Sequence, residues 1–244
     1  MDRRGFCKTF FLLPFLAPYL NVSGQTKRGF ELQLISSSPH KLIIPLLEEF
    51  WGPMLFSGKN FTFLNSHPQE KELKRVLSQN NWNHVFYPSQ ADLIFSFLHL
   101  LKPVPPSFTL LKNDKVRDIR SKNLLSLWKE ISTTQQPSSL LTVASFNKRR
   151  PHSNKGELAS VYIDGKKIGL LPLKKSYSKI FRTHRGTVEM VIDNERARVV
   201  NSSCRHKICL HTPPAAIEGE RIICAPNHFL LEIEPHHLVD TIIG

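Results

Sequence analysis

A chain of 244 residues, 41% hydrophobic and 22% charged, has room for one large domain or two small ones and is too apolar for a disordered polymer. After residue 25 no run reaches the ~20 apolar residues of a bilayer-spanning helix, which excludes a transmembrane span; Ala91 to Leu101 is broken by Asp92 and His99 and followed by Lys102-Pro103, so it is a core segment. A net charge of +13 suits nucleic acid, anionic lipid headgroups or acidic cell-wall polymers, beside the plain alternative of a solvated basic surface.

Residues 1–24 have the layout of a signal peptide. Arg3, Arg4 and Lys8 form a positive region, Phe10 to Leu20 an apolar one, and Val22-Ser23-Gly24 supplies small residues for cleavage. The order Arg3-Arg4-Gly5-Phe6-Cys7-Lys8 resembles the twin-arginine export signal, with ordinary Sec export as the other route. The resemblance implies an exported, periplasmic or cell-envelope protein, and the twin-arginine route carries proteins that have already folded. Export argues against nucleic acid as a partner and leaves proteins, anionic envelope ligands and peripheral membrane contact. Cleavage would remove Cys7, leaving three cysteines, an odd number for an oxidising compartment.

From residue 25 to 146 strand-like and helix-like stretches alternate. Phe30 to Ile35 alternates apolar and polar side chains as an edge or half-buried strand does. Leu42, Ile43, Leu46, Leu47 and Phe50 recur at helical spacing. Asn60 to Leu64 reads as a strand, and Ser66 with Gln69 forms a capping-box pattern before Leu73, Val76 and Leu77 on one helical face. His84 to Tyr87 and Ala91 to Phe97 are strand candidates. Val116, Ile119, Leu124, Leu127, Trp128 and Ile131 mark an amphipathic helix, and Leu140 to Phe146 a last strand. Alternating elements predict an open α/β sheet. Their order resembles one lobe of a periplasmic solute-binding protein, with Ala91-Asp92-Leu93-Ile94-Phe95 where such lobes carry a strand; no ligand motif accompanies it.

Residues 147–156 are basic, polar and without periodicity, and are expected to be a linker in which Lys148, Arg149, Arg150 and Lys155 face solvent or an anionic surface. From residue 157 to 235 the period changes to two. Ala159 to Ile163, the turn Asp164-Gly165 and Ile168 to Leu171 read as a hairpin. Tyr177 to Thr183, Thr187 to Ile192, Ala197 to Val200, Arg221 to Cys224 and Phe229 to Ile233 follow as short strands, predicting a small all-β sandwich or barrel with little helix. The expected fold is therefore α+β overall, with an N-terminal α/β domain of unknown ligand. Residues 236–244, with His236-His237, read as a solvated tail.

The C-terminal stretch Val161-Tyr162-Ile163-Asp164-Gly165-Lys166, Gly169, Gly186, Val188, Cys204, Cys209 and Ile222-Ile223-Cys224-Ala225-Pro226-Asn227 resembles the NusG domain II family. Two departures fall in the loop that a partner would meet: Leu210-His211-Thr212-Pro213-Pro214 lacks a customary glycine, and Ala225 stands for leucine. The resemblance implies a small β module, exported when it stands alone, with a binding or accessory role and no catalytic residues to carry over.

Three readings of Cys204, Cys209 and Cys224 stay open. In the first, a disulfide between two of them staples a small core, worth roughly 2–4 kcal/mol, and leaves one thiol. In the second, Cys204, Cys209 and Cys224 with His206, His211 or His228 hold zinc or copper, although the usual Cys-x-x-Cys knuckle is absent. In the third, the Cys-x-His-x-x-Cys spacing of Cys204, His206 and Cys209, with Cys224 and His228, serves a Rieske-type [2Fe-2S] centre. The second Rieske loop would be one residue too long here. No phosphate-cradling glycine loop, Gly-x-Ser-x-Gly elbow or His-Glu-x-x-His appears. The expectation is a non-enzymatic binding or accessory protein with no cofactor, against a metal- or iron–sulfur-carrying redox protein and a nucleic-acid-binding module related to transcription.

Overall fold

Apolar and polar side chains alternate so regularly along Phe30–Ile35 that this first strand, β1, must present two chemically different faces. The computed structural model describes residues 29–51, 59–117, 119, 122–134, 136–146 and 154–234. Arg3, Arg4, Phe6 and Lys8, the run Lys148-Arg149-Arg150 and the tail from 236 lie outside the described residues.

In the N-terminal half α1 (Ile43–Trp51), β2 (Lys59–Phe63), α2 (Glu70–Gln79), β3 (Trp82–His84), β4 (Leu93–Val104), β5 (Ser107–Lys112), β6 (Lys115–Val116), α3 (Lys122–Thr134) and β7 (Ser138–Phe146) follow β1. The strands form one sheet in the order β3-β2-β4-β7-β1-β5-β6. Only β2 runs parallel to its neighbours β3 and β4; every other pairing is antiparallel. Helices cover one face. Phe30, Leu32 and Leu34 of β1 and Phe108 and Leu110 of β5 pack there with Ile43, Leu46 and Leu47 of α1, Leu73 and Leu77 of α2, and Leu124 and Ile131 of α3.

Three local readings are corrected. β1 is an interior strand, flanked by β7 and β5, with Glu31 only 4% exposed. Ser66 does not cap α2: the helix starts at Glu70, and the N–H of Gln69 donates instead to Nδ1 of the buried His67 at 3.0 Å. Val116 belongs to a strand rather than to the start of α3, because Asn113 and Asp114 both adopt positive φ (53° and 61°) and close a tight β5–β6 hairpin.

The C-terminal half contains β8 (Leu158–Ile163), β9 (Lys166–Pro172), β10 (Tyr177–Thr183), β11 (Gly186–Asp193), β12 (Arg196–Ser202), the single turn α4 (Ile208–His211), β13 (Arg221–Cys224) and β14 (Phe229–Ile233). The Asp164-Gly165 turn forms as the dipeptide predicts, with φ of 52° and 76°. Sheets β10-β11-β12 and β13-β14-β8-β9 stay separate, so this half is a two-sheet sandwich and not a closed barrel. Val161, Phe229 and Leu231 of one sheet meet Phe181, Val188 and Met190 of the other. Lys155 is already part of this half, with its backbone bridged to Ile217 and its ammonium paired with Glu195.

The sandwich lies against the face of the seven-stranded sheet that the helices leave open. Leu111 and Val116 pack with Ile223 and Leu230, and Ile208 of α4 packs on the cluster of Ile35, Leu100, Val104 and Leu141. Between these contacts sits Arg221, its side chain 8% exposed. Its Nη2 donates to Asp114 Oδ1 at 2.7 Å and to Glu232, and its Nη1 lies 3.8 Å from Glu31. Burial by itself would lower the guanidinium pKa; Glu31, Glu232 and Asp114 outweigh it and push the pKa up.

Removing one member of a buried charge network costs more than the network contributes, because it strands the others, typically by about 3–5 kcal/mol. Arg221→Ala should lose about that much in chemical denaturation, and Arg221→Met with Glu31→Leu should recover most of it. His67 offers a second check. Its Nε2 is 2.9 Å from Thr142 Oγ1, and burial lowers its pKa, partly opposed by Glu70. The neutral form therefore suits the folded state. This contribution is complete above the unfolded value of 6.5 and is lost as pH falls below 6.5 towards the folded value. Denaturation midpoints should decline from about pH 7 to about pH 5, and His67→Leu should flatten that part of the slope.

Candidate functional site

Three segments of the C-terminal half deliver a sulfur to one point. Cys204 follows the end of β12, Cys209 sits in α4 and Cys224 is the last residue of β13. The chain reverses between the first two because Lys207 takes a left-handed conformation (φ 50°) just before α4. After Cys224 a tight turn over Ala225–Asn227 ends at His228, again left-handed (φ 49°). The three Sγ atoms lie within 4.8 Å of one another, and their residues are 8%, 1% and 2% exposed. All three are free thiols.

Polar groups of the sandwich point at these sulfurs. Asn227 Nδ2 donates to Cys224 Sγ at 3.3 Å, to Ser202 Oγ at 3.0 Å and to Thr187 O at 3.3 Å. Ser202 Oγ lies 3.3 Å from Cys224 Sγ and accepts the N–H of Cys204. Hydrogen bonds from Cys209 and Cys224, with Ser202 and the N–H of Lys207, hold the Cys204 thiol far below its ordinary pKa against the opposing effect of burial. The bond to Cys204, together with burial, pushes Cys209 and Cys224 up.

The loop holding Asn227 is pressed close to β11. A Cβ on Gly186 would stand 2.0 Å from Ser203 Oγ and 2.8 Å from Asn227 Oδ1, and its φ is +148°. Both the space and the backbone require glycine there.

The sulfurs open onto a cleft of about 220 Å³ between the two halves. Gln33, Ser107, Thr109, Arg117 and Trp128 line it from the N-terminal half; His206, Ile208, Pro226, His228 and Arg185 line it from the other. Trp128 donates from Nε1 to Ser107 Oγ at 3.2 Å and meets the His206 ring at 6.5 Å. His228 is fixed through Nδ1 by Asp164 Oδ1 at 2.8 Å, while Asp164 Oδ2 holds His184 at 3.0 Å. Burial raises the Asp164 pKa, but the hydrogen bond to His228 and the charges of the two histidines bring it below the usual carboxylate value.

Of the residues singled out by sequence, the structure gathers Cys204, Cys209 and Cys224 at one point and puts His206 and His228 on the same cleft, outside the sulfur cluster. The donor set is three sulfurs at one place, which differs from the two-thiolate, two-imidazole division of a Rieske centre. Lys155 lies apart, in its pair with Glu195. Sequence reasoning missed Asn227 as a sulfur donor, Asp164 as the anchor of two histidines, and the whole N-terminal wall of the cleft. The Asn113-Asp114 pair was the available signal for the hairpin that builds part of that wall.

Residues 138–237 match the family model described as NusG domain II. This region of the chain is a NusG domain II-like module, and it holds every element of the sulfur cluster. Similar solved structures include a DUF1312 family protein from Ruminococcus gnavus, 27% identical over 32% of this chain and 97% of that one, with a TM-score of 0.29. A DUF1312 family protein from Enterococcus faecalis is 21% identical over 33% and 98% (TM-score 0.31). The Lin0431 protein from Listeria innocua is 20% identical over 33% and 97% (TM-score 0.31). No curated protein matches the chain.

Asn227→Ala removes three donor contacts from a residue 1% exposed and should cost about 1–3 kcal/mol in thermal or denaturant unfolding. In the native protein Cys204, Cys209 and Cys224 should resist iodoacetamide and react fully only after denaturation, read by peptide mass. Asn227→Ala should speed the native reaction at Cys224.

Proposed function

We propose that the protein is an exported, non-enzymatic binding or accessory module of the cell envelope that holds its ligand in the cleft between the seven-stranded sheet and the β sandwich. The cleft carries this reading. Pockets at the junction of two domains are a common place for ligands, with apolar walls and a few polar groups that orient what enters. Trp128, Ile208, Ile223 and Pro226 supply the apolar surface, and Arg117 and Arg185 supply cationic groups. A ligand with an apolar body and an anionic end fits that chemistry, and the net charge of +13 favours its approach.

Export rests on the sequence pattern of Arg3, Arg4, Phe6 and Lys8 ahead of the apolar run Phe10 to Leu20. The intact mass of protein recovered from the envelope fraction should correspond to cleavage near Gly24; a full-length cytoplasmic chain would overturn this part.

Anilinonaphthalene sulfonate, an aromatic body bearing a sulfonate, probes the cleft directly. It should bind the native protein with enhanced fluorescence, and Trp128→Ala and Arg117→Glu should each weaken binding about tenfold, a change of about 1.4 kcal/mol. Arg117 is exposed, so its reversal leaves the fold intact. Equal binding by the wild type and Arg117→Glu would show that the probe sits elsewhere.

A further inference from the structure

We propose that Cys204, Cys209 and Cys224 form a three-thiolate site for one soft metal ion of the zinc(II) or copper(I) class, with a remaining coordination position open to the cleft. This goes beyond the organic-ligand reading and does not depend on it.

Three observations carry the site. The first is convergence. Thiolates on a tetrahedral zinc ion, each bonded at about 2.3 Å, stand about 3.8 Å apart. The sulfurs already lie within 4.8 Å, so small side-chain rotations close the remaining gap. The second is the surrounding shell. Asn227 Nδ2 and the Ser202 hydroxyl approach Cys224. Donors aimed at sulfur stabilise thiolate over thiol and fix its lone pairs, as outer-shell groups do in metal–thiolate centres. The third is the donor type. Among the described residues no carboxylate joins the cluster, so a hard ion such as magnesium or calcium finds no oxygen cage there, whereas an all-sulfur set suits soft ions.

The cleft decides what kind of site results. A structural zinc ion closes its shell with four protein ligands, whereas three converge here among the described residues. The fourth position belongs to water or to a group entering the cleft, which His206 and His228 also line. Binding balances without any oxidant. Each thiol that joins the zinc ion releases its proton to solvent, and three thiolates on one zinc(II) carry a net charge of −1. Copper(I) gives a three-coordinate centre of charge −2.

The test uses the full chain with Cys7→Ser, reduced and freed of metal, so that three thiols remain. Zinc and copper(I) are added separately, and cobalt(II) serves as the coloured stand-in for zinc. Native mass spectrometry should show one ion per chain. Cobalt should give a sulfur-to-metal charge-transfer band. Cys204→Ser, Cys209→Ser and Cys224→Ser should each lose affinity at least about tenfold and lose the band, with circular dichroism confirming the fold. If one of these variants fails to fold, the one-to-one adduct and the cobalt band of the wild type still decide the matter. A one-to-one adduct with either ion supports the site and tells which ion it prefers. No adduct on the reduced wild type, an adduct kept by all three serine variants, or a disulfide among the three thiols in protein from its native compartment would overturn it. Sulfonate-probe binding in the metal-free protein reports on the cleft separately, so either reading can fail alone.

Discussion

Arg221 joins the two halves of this protein. Its guanidinium comes from the sandwich, yet two of its three carboxylate partners, Glu31 and Asp114, belong to the seven-stranded sheet and its terminal hairpin. A charge this buried is tolerable only where its partners are already in place. The arrangement therefore favours one orientation of the halves over others that would bury similar apolar area, such as that of Leu111, Val116, Ile223 and Leu230. The cleft is a consequence. Val116 and Ile223, which pack together where the halves meet, also line it.

The sulfur cluster depends on the same arrangement from the other side. Cys224 ends β13, the strand that carries Arg221, and Cys209 sits in α4, the turn that plants Ile208 on the N-terminal sheet. The elements that dock the halves also aim the thiols. A chemical event at the sulfurs, whether metal binding or oxidation, would act on α4 and the end of β13 and so on the walls of the cleft. Asp164 extends the coupling to the β8–β9 turn by holding His228 on the cleft and His184 beside it.

Most strands and all three long helices were legible from periodicity, because each was stabilised by a face that its own residues specify. Phe30, Leu32 and Leu34 announce a buried face, as do Leu73 and Leu77. The errors have separate causes. Glu31 and Gln33 were read as facing water, since polar residues on alternate positions usually do; here that face is covered by the sandwich, where Glu31 meets Arg221 and Gln33 lines the cleft. Ser66 satisfied a capping pattern, but the imidazole of His67 competed for the Gln69 N–H and won because it was already fixed against Thr142. The β5–β6 hairpin was overlooked because its second strand is two residues long and merges into the apolar periodicity of α3.

The sequence by itself determined the two halves, the change of period between them, the turn at Asp164-Gly165, and the resemblance of the C-terminal module to NusG domain II, since these rest on local backbone preference and short-range pattern. Only the tertiary structure decided that the three cysteines converge, that the polar face of β1 is an interface, and that Trp128 stands across a cleft from the sulfurs. Those facts depend on contacts between elements that are not neighbours in the chain, Asp114 with Arg221 among them, whose pairing no local preference encodes.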